Sequence, residues 1–269
     1  MNPDVLLIGC GDLGSRIGVR LTEQGHTVLG VRRNADRVPA PLRGLSADLT
    51  KAAPQLPPLD LRYLVVALTA RPRTEDAYRA TYVHGMGRAL DALDSAGQAP
   101  DRAVLVSSTA VYGDVPDGVL IDEGQRARPT DGPGRMLLEA EELFASRIRR
   151  ATVLRCSGLY GGRSARLVEK VRSGQVGDPD RWTNRIHRDD AAAAVVHLLT
   201  QVGSPQSLYI GSDDEPALMG DVAGHLAAQL GVPAPPPGDL SRAHGKRLSN
   251  ARLRASGWVP TYATHREGM

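Results

Sequence analysis

The apolar run Val5–Ile8 ends at Gly9-Cys10-Gly11-Asp12-Leu13-Gly14, and this hexapeptide constrains the chain more than any other stretch. In G-x-G-x-x-G the first glycine allows a tight turn, the second lets a pyrophosphate approach the backbone, and the third lets a helix pack closely. A helix is expected next over Ser15–Gln24, because Ile17 and Leu21 stand four residues apart on one face. Its N-terminus would point at the loop, where free N–H groups and the helix dipole favour an anion. Gly25-His26 closes the helix and Thr27–Val31 supplies a second β-branched run, completing a βαβ unit. A purely structural glycine turn is the competing reading. The strand before the loop and the helix after it favour dinucleotide binding.

Strand-like and helix-like segments then alternate. Strands are expected at Tyr63–Leu68, Ala103–Ser107 and Thr152–Arg155, with helices over Thr74–Ala96 and Arg135–Arg149. That rhythm predicts an α/β fold with a doubly wound parallel sheet of the Rossmann kind. After Cys156 come glycine-rich loops, a helix over Asp189–Thr200, a strand at Leu208–Ile210 and a helix over Asp221–Leu230, then an irregular polar tail. The expected division is a nucleotide-binding domain over 1–156, with 157–269 adding the last Rossmann elements and a smaller substrate lobe.

Composition narrows the partners. With 33 basic and 30 acidic residues and no basic run interleaved with aromatics, nucleic acid is not an expected partner. Cys10 and Cys156 lie in apolar stretches away from any zinc-like spacing, so they read as buried reduced thiols and no metal site is expected. No apolar run approaches the ~20 residues of a membrane span, and Met1-Asn2-Pro3-Asp4 does not resemble a leader peptide. The expectation is a cytoplasmic protein without membrane contact.

An acidic residue at the end of the second strand would hold a ribose 2′-hydroxyl, as in NAD-binding units. This chain carries Arg32-Arg33 there. Guanidinium groups pair with a 2′-phosphate in bidentate fashion, so the position favours NADP over NAD. Two solvated arginines in an arginine-rich chain, whose lysines are Lys51, Lys170 and Lys246, remain the alternative.

Ser107-Ser108-Thr109-Ala110-Val111-Tyr112-Gly113 directly follows a strand. With Ala47-Asp48-Leu49, Leu154-Arg155, Leu159-Tyr160-Gly161, Ile186-His187-Arg188-Asp189-Asp190-Ala191, Tyr209–Asp213 and Lys246–Leu253 with Gly257-Trp258, it resembles the extended short-chain dehydrogenase/reductase group, the NAD-dependent epimerase/dehydratase family. The resemblance runs along nearly the whole chain. It implies a cofactor set of Gly9, Cys10, Gly11, Asp12, Leu13, Gly14, Arg32, Arg33, Asp48, Leu49, Ala67, Leu68 and Ser107, and dimerisation through the helices flanking the Ser108 strand.

The chain departs from the pattern twice. Ile8 replaces the family's first glycine, and registering on Gly134 and Glu141 puts Pro133 and Leu137 where the family has the Tyr and Lys of Tyr-x-x-x-Lys. Proline has no proton to give, so the common proton transfer is absent and the chain resembles the atypical members. Ser108, at the family's catalytic Ser/Thr position, and Arg135, which could pair with a substrate anion, are the catalytic candidates. Tyr112 is expected to pack, His187 and Asp190 to tie the C-terminal part together, and Arg163 to be a further anion contact. The substrate is a small molecule that the sequence does not name. Two functions stand beside each other: an NADP-dependent oxidoreductase- or epimerase-like enzyme, and a non-catalytic NADP-binding sensor.

Overall fold

The structure, a computed structural model, describes the chain except Asp114, Gly162, Arg163 and Ser164, and the side chains of Ala165 and Arg166. Arg163, the anion contact expected from the sequence, therefore lies outside the described residues. The first half runs β1 (Val5–Ile8), α1 (Asp12–Glu23), β2 (Val28–Arg32), β3 (Arg43–Ser46), β4 (Tyr63–Val66), α2 (Glu75–Tyr78), a π-helical stretch Arg79–Gly85 that continues into α3 (Met86–Ser95), and β5 (Arg102–Ser108). Helix α4 (Gly132–Arg147) and the strands Ala151–Cys156 and Leu208–Gly211 complete the central layer.

Seven strands form one parallel sheet. Its order is Leu208–Gly211, Ala151–Cys156, β5, β4, β1, β2, β3. β1 is central: Val5 pairs with Val28 on one side and with Tyr63 on the other. Such strands are covered on both faces, which is why VLLI and YLVV are apolar without alternation. Leu6, Ile8, Leu64, Val66 and Leu105 share one buried face with Met86, Leu90 and Leu93 of α3 and Ala140 and Phe144 of α4. β3 was not expected. As the edge strand it presents exposed Arg43 and Ser46 and a half-buried Leu45, so it carries no apolar run to read.

The helix boundaries differ from the sequence reading for local reasons. α1 starts at Asp12, inside the glycine loop, where Gly11 is the cap. α4 starts at Gly132 because the Asp131 carboxylate accepts from Gly134 N–H at 2.6 Å, and Pro133 fits the first turn, where its missing donor costs nothing.

The chain divides into two compact units: Met1–Gly113 with Ala127–Arg155 and Ala192–Tyr209, and Asp114–Arg126 with Cys156–Ala191 and Ile210–Met269. One crossing falls at Arg155/Cys156, next to the boundary read from the sequence. The return of residues 192–209 to the first unit, and the inclusion of 114–126 in the second, follow contacts distant in sequence. In the second unit Gly158–Tyr160 pairs in parallel with Arg185–His187, and Trp182–Thr183 pairs antiparallel with Ala217–Leu218. The tail expected to be irregular holds two short helices, Ala251–Ala255 and His265–Gly268. No helix among the described residues is long and apolar enough to cross a membrane.

Candidate nucleotide pocket and active-site face

The carboxyl ends of β1, β2 and β4 open onto a cavity of about 680 Å³. Gly9 has φ +92°, and a Cβ there would stand 2.5 Å from the Ala67 carbonyl oxygen, so the turn accepts only glycine. A Cβ on Gly14 would come equally close, 2.5 Å, to Gly9 O, which shows α1 resting on the loop. Gly11 lines the cavity, and a Cβ there would meet nothing within 4 Å. The open glycine is thus the one read as the point of pyrophosphate approach.

Of the cofactor residues expected from the sequence, Gly9, Gly11, Arg32, Arg33, Asp48, Leu49, Ala67 and Leu68 come together on this cavity. Cys10, Asp12, Leu13, Gly14 and Ser107 are not among its lining residues. Cys10 is buried, its Sγ 3.6 Å from Ser15 Oγ, and burial pushes its thiol pKa up. Gly14 is buried and Asp12 sits in the first turn of α1, 3.5 Å from Arg16 Nε. Sequence reasoning missed Asn34, Arg37, Thr50, Thr69, Arg71, Ala77, Ala80 and Thr81, which also line the cavity. Arg37 had a local signal, since Asn34 caps the short turn Ala35–Arg37 by accepting from Asp36 N–H at 2.9 Å. Arg71 had none, because its place depends on the path taken after β4.

The electrostatics are one-sided. Arg32, Arg33, Arg37 and Arg71 line the cavity against one carboxylate among the described lining residues, Asp48. Arg32 Nη1 donates to Arg37 O at 2.9 Å and braces the turn that carries Arg33 and Arg37. Asp48 accepts from the Thr50 hydroxyl at 2.7 Å and from Thr50 N–H at 3.1 Å, and these bonds hold its carboxyl below the usual range. Tyr82, pushed up to about 12 by burial, donates its phenol to O of the lining residue Leu68 at 3.1 Å. It therefore acts as a fixed donor that shapes the end of β4.

Beside the pocket, β5 ends in the tight turn Thr109–Tyr112. Ser108 Oγ accepts from Ala110 N–H at 3.2 Å and stays half-buried. Ser107 is directed elsewhere: its hydroxyl donates to Glu141 Oε1 at 2.5 Å. Arg155 closes on the same carboxylate, with Nε at 3.1 Å from both oxygens and Nη2 at 2.6 Å from Oε2. Burial alone would pull the Arg155 guanidinium down; hydrogen bonds and charge from Glu141 leave it raised. Its guanidinium also lies 4.9 Å from the centre of the buried Tyr112 ring, so Tyr112 packs as expected.

On α4, Leu137 is buried and Pro133 is in the first turn. Arg135 is exposed and ion-paired with Glu75, Nη2 to Oε2 at 3.2 Å. Arg79 bridges Glu75 and Glu139 at 3.7 and 3.3 Å, forming an alternating row between α2 and α4. In the second unit Asp190 accepts from Thr261 and Tyr262 N–H at 2.8 and 2.9 Å, and His187 packs edge-on to Tyr160 at 5.2 Å. Both hold the C-terminal segment.

The sequence model of the NAD dependent epimerase/dehydratase family matches residues 5–211. A dTDP-6-deoxy-L-talose 4-dehydrogenase (NAD(P)(+)) of Kitasatospora kifunensis is 29% identical over 179 residues, 64% of this chain and 54% of that protein, so the match spans about half the length of the curated relative. A Methylobacillus flagellatus protein described provisionally as an NAD-dependent epimerase/dehydratase superposes with TM-score 0.80 at 35% identity, covering 100% of this chain and 96% of that one. The UDP-glucose 4-epimerase of Thermus thermophilus, solved with NAD, shares the fold at TM-score 0.77 and 21% identity, covering 98% and 96%. With the family model matching well over half its length, the chain belongs to the NAD-dependent epimerase/dehydratase family.

Proposed function

We propose that this chain binds NADP(H) and acts as an oxidoreductase- or epimerase-like enzyme with a degenerate active site. The observation that carries the reading is the cavity at the glycine loop, where Arg33 and Arg37 stand on the turn after β2, the place of the 2′-phosphate. The bound nicotinamide would supply a hydride acceptor or donor; the chain's own residues bind and orient it. Gly9, Gly11 and the start of α1 would receive the pyrophosphate, and Arg33 and Arg37 the 2′-phosphate. Ser108, at the end of β5, is the hydroxyl left to hydrogen-bond a substrate oxygen, because Ser107 is tied to Glu141. Calorimetric titration of the purified chain with NADPH and NADH tests this. NADPH is expected to bind at least about tenfold more tightly, which corresponds to ~1.4 kcal/mol, and equal affinities would remove the role assigned to the arginines.

A second reading, a non-catalytic NADP-responsive protein, is favoured by one feature: Leu137 is buried apolar surface where the family's lysine would stand. The two readings part on turnover. NADPH oxidation with any member of a panel of carbonyl compounds and nucleotide sugars, reduced in Ser108→Ala, supports the enzyme. Tight NADPH binding without turnover across the panel supports the sensor.

A further inference from the structure

A second basic cleft, of about 380 Å³, is lined by Arg102, Arg149, Arg150, Thr152, Ser204 and Ser207 within the first unit. It lies at the start of β5 and of the strand Ala151–Cys156, the opposite ends of the strands from the glycine loop. The volume is at the lower end of small-ligand sites, roughly 300–1,000 Å³.

Its three arginines differ in what they already do. Arg102 Nη1 donates to Leu199 O at 2.9 Å and Val202 O at 2.5 Å, and Nη2 to Gly203 O at 2.8 Å. This caps the carbonyl end of the helix Arg188–Thr200 and offsets the negative pole that would otherwise repel an anion. Three of the five N–H donors of its guanidinium are thereby used, leaving two. Arg149 and Arg150 follow α4 on the turn into the next strand and are exposed, and no carboxylate is among the described lining residues. Arg147, just before them, is by contrast matched, bonding Asp91 at 3.0 Å and Asp94 at 2.5 Å. The surplus positive charge of the cleft is thus local, and its fork-shaped donors match phosphate oxygens.

We infer that this cleft is a second anion site that takes a small phosphate-bearing ligand, separate from the dinucleotide pocket. Ligands of open α/β sheets enter at the carboxyl ends of the strands, so an anion at the opposite ends would act as an effector rather than as the substrate. The inference does not depend on NADP binding.

The test is calorimetric titration of inorganic pyrophosphate into the full chain, its Arg149→Ala/Arg150→Ala variant and its Arg33→Ala/Arg37→Ala variant. Pyrophosphate can also enter the glycine loop, which both variants leave intact, so the component that Arg149→Ala/Arg150→Ala weakens is the one assigned to the cleft. The expected result is a component that survives Arg33→Ala/Arg37→Ala and weakens about tenfold or more in Arg149→Ala/Arg150→Ala, with melting temperature and NADPH affinity unchanged in the latter. Pyrophosphate binding unaffected by Arg149→Ala/Arg150→Ala overturns the inference. Equal displacement by chloride at matched ionic strength overturns it too, because that is counterion screening rather than a site.

Discussion

Arg33 and Arg37 act as free guanidinium groups on a turn that Arg32 braces from beneath. On the proposed NADP reading, replacing Arg33 by alanine would remove a charge-assisted contact of about 1.5–3 kcal/mol. NADPH affinity is expected to fall roughly ten- to hundred-fold while NADH affinity stays, as fluorescence titration with each reduced cofactor would read. A different residue-scale effect concerns Asp213, whose burial, only partly opposed by the charge of Arg185, lifts its carboxyl to about 8. The folded chain then keeps a proton that the unfolded chain releases above about pH 4, so this residue lowers stability as pH rises from about 4 to 8. Asp213→Asn should flatten that decline in urea denaturation midpoints measured across the window. His265 has the opposite sign: burial first, then the charges of Arg266 and Arg185, press it down to about 4. Its contribution is lost as pH falls from about 6.5 towards 4, and a steeper decline in His265→Gln would contradict that assignment.

At the scale of elements, α4 is held to the end of β5 by one carboxylate. Glu141 receives Ser107 and both ends of the Arg155 fork in a buried setting. Glu141→Gln leaves the guanidinium without its counter-charge and is expected to cost about 3–5 kcal/mol, measurable by chemical denaturation. Loss of under about 1 kcal/mol would mean that water replaces the pair. Phe144, one helical turn further on and fully buried, belongs to the same packing. Its replacement by alanine should cost a further ~3–5 kcal/mol. The two positions share the α4 packing, so the double variant is not expected to be additive.

For the whole molecule, a ligand that binds only the folded chain stabilises it by mass action. NADPH at about a hundred times its dissociation constant should add ~2.7 kcal/mol, seen as a rise in melting temperature that grows with concentration. The same concentration of NADH should raise it less, and identical shifts would argue that the basic pocket does not read the 2′-phosphate. The family assignment and the parallel sheet apply at this scale, since the family match runs from Val5 to Gly211 across the sheet strands.

The glycine loop, the apolar runs of β1, β2 and β4, and the paired arginines after β2 were legible in the sequence because each depends on local chemistry. Backbone that only glycine adopts, strands covered on both faces and a charge at a fixed distance from a loop need no distant partner to be recognised. Tertiary structure decided the rest. β3 is a strand because it has an edge to pair with, and Arg71 meets Arg33 and Arg37 only because separate connections converge on one cavity. The Ser107 hydroxyl is tied to a carboxylate 34 residues away. Those outcomes rest on long-range proximity, which the order of residues encodes through folding and does not display.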